Sequence, residues 1–256
     1  MAAHFQDYLL HLADNAVILG QRNAQWCGHG PVLEEDLALA NNSLDLIGQA
    51  RLLYQHVAEL HDDGSTEDSL AYFRDQQDFL NFTLLELPHS TALAPSARAE
   101  RDYAITITRN FLFSAYMLLV WEQLQHHADA QLAAIAVKSL KEVKYHLQHA
   151  ADWLVRFGDG TEESHARAQA AIDFLMPYTQ EFWSEWPSAQ AVLGDTTVLH
   201  SAWQTTVHEV LTQAGLQLPP SDGYVTQGRA GIHTEHMSYL LAEMQSLARQ
   251  HPGATW

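Results

Sequence analysis

Positive charge is scarce in this sequence: Lys and Arg together number 13 against 31 Asp and Glu, for a formal net charge of -18. A chain of that sign is repelled by phosphate backbones and by anionic lipid, so nucleic acid and membranes are set aside as partners. Cysteine is nearly absent. The single Cys27 cannot close an internal disulfide, and it stands beside His29 with no second such pair, which argues for a turn and against zinc. No basic segment followed by an apolar one opens the chain, and a reducing cytoplasm is the expected compartment. The longest apolar run, Phe111–Trp121, is interrupted by Ser114 and is too short to span a bilayer. No segment alternates β-branched and polar residues with period two, so no sheet is expected. Gly-x-Ser-x-Gly, a phosphate-cradling glycine loop and a dinucleotide fingerprint are all missing, and nucleophilic catalysis has no visible basis.

What is present is helical patterning. A chain of 256 residues with 47% hydrophobic content buries a substantial core, and a single domain over residues 1–256 is expected. Helices are read over His4–Gln25, ended by Trp26-Cys27-Gly28-His29-Gly30-Pro31, and over Val32–Leu60, with Leu37, Leu44, Ile47, Leu52 and Val57 taken as inward. Glu34, Glu35 and Asp36 sit in the first turn of the second helix, where they complement its dipole. The aromatic-rich stretch Asp68–Leu87 reads as a third helix stopped by Pro88, its polar string Arg74–Asp78 lying on a solvated or interface face. Ser90–Pro95 reads as a loop, and Ser96–His127 as a fourth helix, apolar almost all round at its centre and therefore buried or covered by a partner. A fifth runs from Asp129 to the stop at Phe157-Gly158, and a sixth over Thr161–Trp183. Ser184–Thr196 is irregular or holds one short turn, Val198–Ala214 is helical, Gly215–Ile232 is a long loop, and His233–Gln250 is the last helix. The fold class is all-α: a ferritin-like four-helix bundle with additional helices, in which the long helices come in two pairs separated by a connection.

In di-iron bundles of that plan the second and fifth long helices each bring a Glu and a His three residues apart into the core. Here the fifth places Glu142, His146 and His149 in a narrow arc, but the residue three before His146 is Val143, which has no lone pair. On the second helix Leu46 and Gln49 stand at that spacing. Only His146 survives of the four motif positions, and a lone buried His reads as a hydrogen-bonded core residue. Lys138, Lys141 and Glu142 read as surface charges, with a pairing across helices as the alternative. His233-Thr234-Glu235-His236 reads as a first helical turn, with Thr234 and Glu235 satisfying free N–H groups; its two His do not make a metal site by themselves.

The blocks Trp26-Cys27-Gly28-His29-Gly30-Pro31, Leu37-Ala38-Leu39-Ala40-Asn41 and Leu44-Asp45-Leu46-Ile47-Gly48-Gln49-Ala50-Arg51 resemble the C-subunit family of bacterial phenylacetyl-CoA epoxidases. So do Phe73-Arg74-Asp75, Lys141-Glu142 with Tyr145-His146-Leu147, and His233-Thr234-Glu235-His236 with Leu241-Ala242-Glu243-Met244-Gln245. The resemblance covers nearly the whole chain. It implies a ferritin-like subunit of a multicomponent oxygenase that converts phenylacetyl-CoA to its ring 1,2-epoxide with O2 and electrons from a reductase. In that family the di-iron centre belongs to the A subunit, which carries Glu and His where this chain has Leu46 and Gln49, and Glu where it has Val143. The resemblance therefore implies a non-catalytic structural subunit with no catalytic residue, metal or cofactor of its own. Its implied partners are the A subunit, a further small subunit and the reductase, with a homodimer as the candidate state of the free chain. Phenylacetyl-CoA is expected near the interface, and Asp78, Phe79, Leu80 and Asn81 are the candidate substrate-side contacts. Two alternatives belong to other classes: an active di-iron oxidase using Glu142, His146, His149 and Asp14, and a self-associating scaffold unrelated to oxygenation.

Overall fold

A computed structural model describes residues 2–91, 101–219 and 223–254. Among these the chain is helical without a strand, apart from one isolated antiparallel bridge between Gln227 and Ile232, and the all-α expectation holds. The helices are α1 (Ala2–Ala24), α2 (Leu33–His61), α3 (Glu67–Tyr72), α4 (Thr83–Glu86), α5 (Tyr103–Leu124) and α6 (Ala130–Gly158). They continue with α7 (Glu162–Leu175), α8 (Gln180–Trp183), α9 (Pro187–Leu193), α10 (Thr197–Gln213) and α11 (Glu235–Gln250). The order of two long helix pairs, α1–α2 and α5–α6, around a connection is that of the ferritin-like plan.

The residues form two compact units. The first takes 1–87, 187–192 and 227–256, and the second takes 88–186 and 193–226. In the first, α1 and α2 form a hairpin, its core made by Tyr8, Leu9, Leu12 and Leu19 against Leu39, Leu46, Leu53 and Val57, and α11 lies against α1, α3 and α4. In the second, α5 is wrapped by α6, α7 and α10. By length and composition α5 could cross a membrane, contrary to the reading from its apolar run; 89% of its hydrophobic window is buried inside the protein. Helix ends follow local chemistry. Asp129 accepts from Leu132 N at the start of α6, and Thr161 and Ser164 form a reciprocal cap at the start of α7.

Several expectations are corrected. The inward row of α2 is Leu39, Leu46, Leu53 and Val57, whereas Leu37, Leu44 and Ile47 are exposed and Leu52 is half-buried, because both faces of this helix are apolar and α1 covers only one. Asp68–Leu87 is not one helix: α3 ends at Tyr72, a 3-10 turn follows at Gln76–Asp78, and the backbone is extended at Phe79 and Phe82 before α4. Arg74 is not on a solvated face, as its side chain is only 13% exposed and pairs with the fully buried Asp14. The sixth helix is segmented at Met176–Thr179, where Pro177 starts a 3-10 turn. Ser184–Thr196 contains α9, and α5 begins at Tyr103, with positions 92–100 of the expected loop and helix start outside the described residues.

Candidate functional site

The four positions that correspond to the Glu and His motif of a di-iron bundle are all buried. Leu46 and Gln49 are buried on α2, and Val143 and His146 are buried on α6. Leu46 and Val143 bring only hydrocarbon to these places, so the carboxylates that bridge and charge-balance a di-iron pair are not supplied by them. His146 is buried beside Tyr145, with ring centroids 6.4 Å apart. Glu142 forms an i,i+4 ion pair with Lys138 at 3.2 Å along the helix. Among the described residues no three of His, Cys, Asp and Glu come together in a group able to hold a metal ion.

The polar chemistry of the first unit gathers elsewhere. One turn of α1 presents His11, Asp14 and Asn15 on its buried face, and these side chains replace the helical hydrogen bonds that segment 79–82 does not make. Leu80 N donates to Asp14 Oδ2 at 2.8 Å, Phe82 N donates to Asn15 Oδ1 at 2.8 Å, and His11 Nδ1 meets the Leu80 carbonyl at 2.6 Å. Asn15 Nδ2 then faces His11 Nε2 at 3.0 Å, so the neutral tautomer with its proton on Nδ1 satisfies both bonds. Burial, with the Arg229 charge adding to it, pushes His11 down to about 3, and the ring is neutral. Every buried backbone group needs a partner, and α1 supplies them to an irregular stretch that the local sequence would otherwise coil into helix.

Asp14 is the hub. It takes both terminal nitrogens of Arg74, the Tyr54 hydroxyl at 2.6 Å and the amide of Leu80. Arg74 also donates to the carbonyls of Leu70 and Asp78, each at 2.6 Å, and lies over the Phe79 ring at 4.2 Å. Burial opposes the charge of Arg74, but Asp14 and Tyr54 outweigh it and the guanidinium is held more firmly protonated than usual. Burial and the Asp14 charge raise the Tyr54 phenol well above its ordinary value. With its oxygens taken by four donors, Asp14 has little left to offer an iron.

A second cluster ties the 227–236 strap to α4. The Glu86 carboxylate receives Asn81 Nδ2 at 3.1 Å, His233 Nδ1 at 2.7 Å and Thr234 N at 2.5 Å. His233 Nε2 meets the Phe79 carbonyl at 2.9 Å, so both ring nitrogens face acceptors, and the imidazolium is the form that serves both. Burial disfavours that charge, but hydrogen bonding to Glu86 and its negative field win, and the His233 pKa is raised. Arg22, lowered to about 10 by burial, donates to the Glu86 backbone carbonyl. The Thr234 side chain makes no cap bond, contrary to the expectation from sequence; Glu86, from another element, takes its N–H instead. The strap's glycines are sites of close approach, since a Cβ on Gly228 would collide with the Asn81 carbonyl oxygen, and one on Gly231 with that of Gln77.

The candidate substrate residues fall in this region. Phe79 and Asn81 are fully buried, Leu80 is half-buried, and Asp78 is exposed. The sequence singles out His233, Thr234 and Asn81 but not Glu86, the partner that joins them, and offers Asp14 only as an atypical ligand. The signal available is the polar triad His11, Asp14, Asn15 interrupting the apolar stripe of α1.

A family profile described as phenylacetic acid catabolic protein matches residues 2–256. The chain belongs to that family. Among family proteins, the C component of the 1,2-phenylacetyl-CoA epoxidase of Escherichia coli (strain K12) is 40% identical over 254 residues, covering 97% of this chain and 98% of that one. The family resemblance carried by the Cys27, Asp45 and His146 blocks is thereby met over the full length of the fold.

Proposed function

We propose that this chain is the C subunit of a phenylacetyl-CoA epoxidase, a non-catalytic component that braces the di-iron A subunit in aerobic phenylacetate degradation. The observation that carries the reading is the two-faced helix α2. Its inner face holds Leu46 where a catalytic relative needs Glu, and its outer face leaves Leu33, Leu37, Leu44 and Ile47 exposed at 71%, 56%, 67% and 41%. These four fall on one stripe of the helix wheel. A contiguous apolar stripe on the surface is a docking feature, and a subunit without its own iron contributes by holding a neighbour's helices in place. The small subunit and the reductase complete the assembly, which works in the cytoplasm with α5 buried inside this chain and with no membrane. In the same reading the acyl-CoA passes near Asp78 and Leu80, the members of Asp78–Asn81 that reach the surface; an unchanged apparent affinity of the complex for acyl-CoA in Asp78→Ala would remove that part.

Metal analysis after iron-replete expression, alone and with the A subunit, tests the core of the proposal. Iron is expected to follow the A subunit. A di-iron load on this chain alone would instead support the oxidase built on Glu142, His146, His149 and Asp14. The double variant Leu37→Asp/Leu44→Asp is expected to abolish co-purification with the A subunit while its own unfolding midpoint stays close to wild type, because exposed substitutions change stability by only about 0.5 kcal/mol. Failure of the wild-type chain to co-purify with any A subunit would favour the scaffold reading.

A further inference from the structure

The chain has three lysines, Lys138, Lys141 and Lys144, and all of them lie within two turns of α6. Every other basic side chain apart from histidine is an arginine, and the protein as a whole carries a net charge of -18. Lys141 and Lys144 are exposed and make no ion pair among the described residues; Lys138 is 53% exposed and shares Glu142. Spaced i, i+3, i+6, the three ammonium groups form a row about 9 Å long. Exposed apolar surface adjoins the row at Val137 and Tyr145, the Tyr145 ring lying parallel to that of His149 at 6.2 Å.

We propose that this face of α6 docks a second protein component of the assembly, one that presents a carboxylate-rich surface. The inference rests on the reading of the chain as an assembly subunit, and it adds a surface distinct from the stripe on α2. Solubility does not require these cations, because an acidic chain of this size is kept apart by its net charge alone. A local row of lysines on a chain of net charge -18 favours a partner surface rich in carboxylates, which the chain's net charge would otherwise repel, and it raises the rate of encounter. The face is the convex outside of a helix, whereas small ligands are bound in concave sites, so a protein surface suits it better than a free nucleotide or acyl-CoA. The arrangement also matches interface anatomy: a tyrosine and a valine for the desolvated centre, lysines for the wet rim.

Because no other lysine exists in the chain, amine chemistry reports on this patch and on the N-terminus alone. The experiment is zero-length carbodiimide coupling of the purified assembled oxygenase with its reductase present, at low and at high salt, followed by peptide mass spectrometry. The expected result is amide links from Lys141 and Lys144 to aspartates or glutamates of one partner polypeptide, lost at high salt. Lys141→Glu/Lys144→Glu is expected to weaken that partner's binding by about tenfold or more at low salt, with unchanged helical content and with the A subunit still held through α2. Equal labelling of the lysines in the free chain and in the intact assembly would overturn the proposal. So would protection by acyl-CoA without any partner protein, or links only to a second copy of this chain. If no subunit co-purifies at all, the assembly reading falls first and this one with it; if the assembly forms and the lysines stay reactive, only this one falls.

Discussion

At the scale of single residues, the first unit is held by charges that are worth little until they are broken. Asp14 is fully buried and its partner Arg74 nearly so, and each was desolvated on folding, which offsets much of their attraction. Removing one partner is a different matter, since it strands the other. Asp14→Asn removes the negative charge opposite a nearly buried guanidinium that lies against the Phe79 ring, and a loss of about 3–5 kcal/mol is expected in urea unfolding. His233 adds a dependence on pH. Its pKa is raised in the folded protein, so its stabilisation is complete below the ordinary histidine value of 6.5 and drains away as pH rises through the folded value. Wild-type stability should therefore fall as pH rises above the ordinary histidine value, and His233→Gln should be flatter over that rise and weaker at its acid end. Urea midpoints at several pH values decide it: parallel curves for the two proteins would mean that the imidazolium between Glu86 and Phe79 does not exist.

At the scale of elements, what can be read from the sequence depends on how far away an element's partner lies. The helices α1, α2, α6 and α10 start and stop within a residue or two of their expected bounds, because caps, glycine stops and apolar periodicity are local. Segment 73–82 misleads for the opposite reason. Arg74-Asp75-Gln76-Gln77-Asp78 has the composition of a solvated helix face, and nothing within a few residues announces that Arg74 will meet Asp14, 60 positions away. Helix α2 misleads in a second way: Leu37, Leu44 and Ile47 satisfy helical spacing as well as Leu39, Leu46 and Leu53 do, and periodicity cannot say which of two apolar faces its own chain will cover. Leu46, Gln49 and Val143, by contrast, are legible as inward positions because the family motif fixes their register. The strap shows how tightly these long-range choices are enforced. Gly228→Ala would drive a methyl group into the Asn81 carbonyl and the Thr83 amide, backbone atoms that cannot swing aside. The strap is expected to lift from α4, seen as faster amide exchange over 227–236 and over 79–86 together, while α6 exchanges as before. Loss of protection confined to the strap would show that the Glu86 cluster stands without it.

At the scale of the whole molecule, the path of the chain argues for cooperative folding. The first unit is assembled from three separate segments and the second from two, so neither can be cut out as a continuous piece. Residues 187–256 carry α11, the strap and part of α9 for the first unit, together with α10 for the second. The strap supplies His233 to Glu86, and α10 supplies Trp203, whose indole donates to the Leu112 carbonyl at 3.1 Å inside the second unit. Each unit's core is thus completed by chain that must first pass through the other. A chain so interleaved is expected to unfold as one cooperative system, and it should melt in one calorimetric transition whose van't Hoff and calorimetric enthalpies agree. The same topology makes a sharper prediction for truncation. A stop after Trp186 should unfold both helix pairs at once, with α1–α2 losing the partner of Glu86 and α5–α6 losing α10. A truncated protein that kept a cooperative melt and half its helicity would instead show that one pair stands by itself and that the family's fold is two domains sharing a chain.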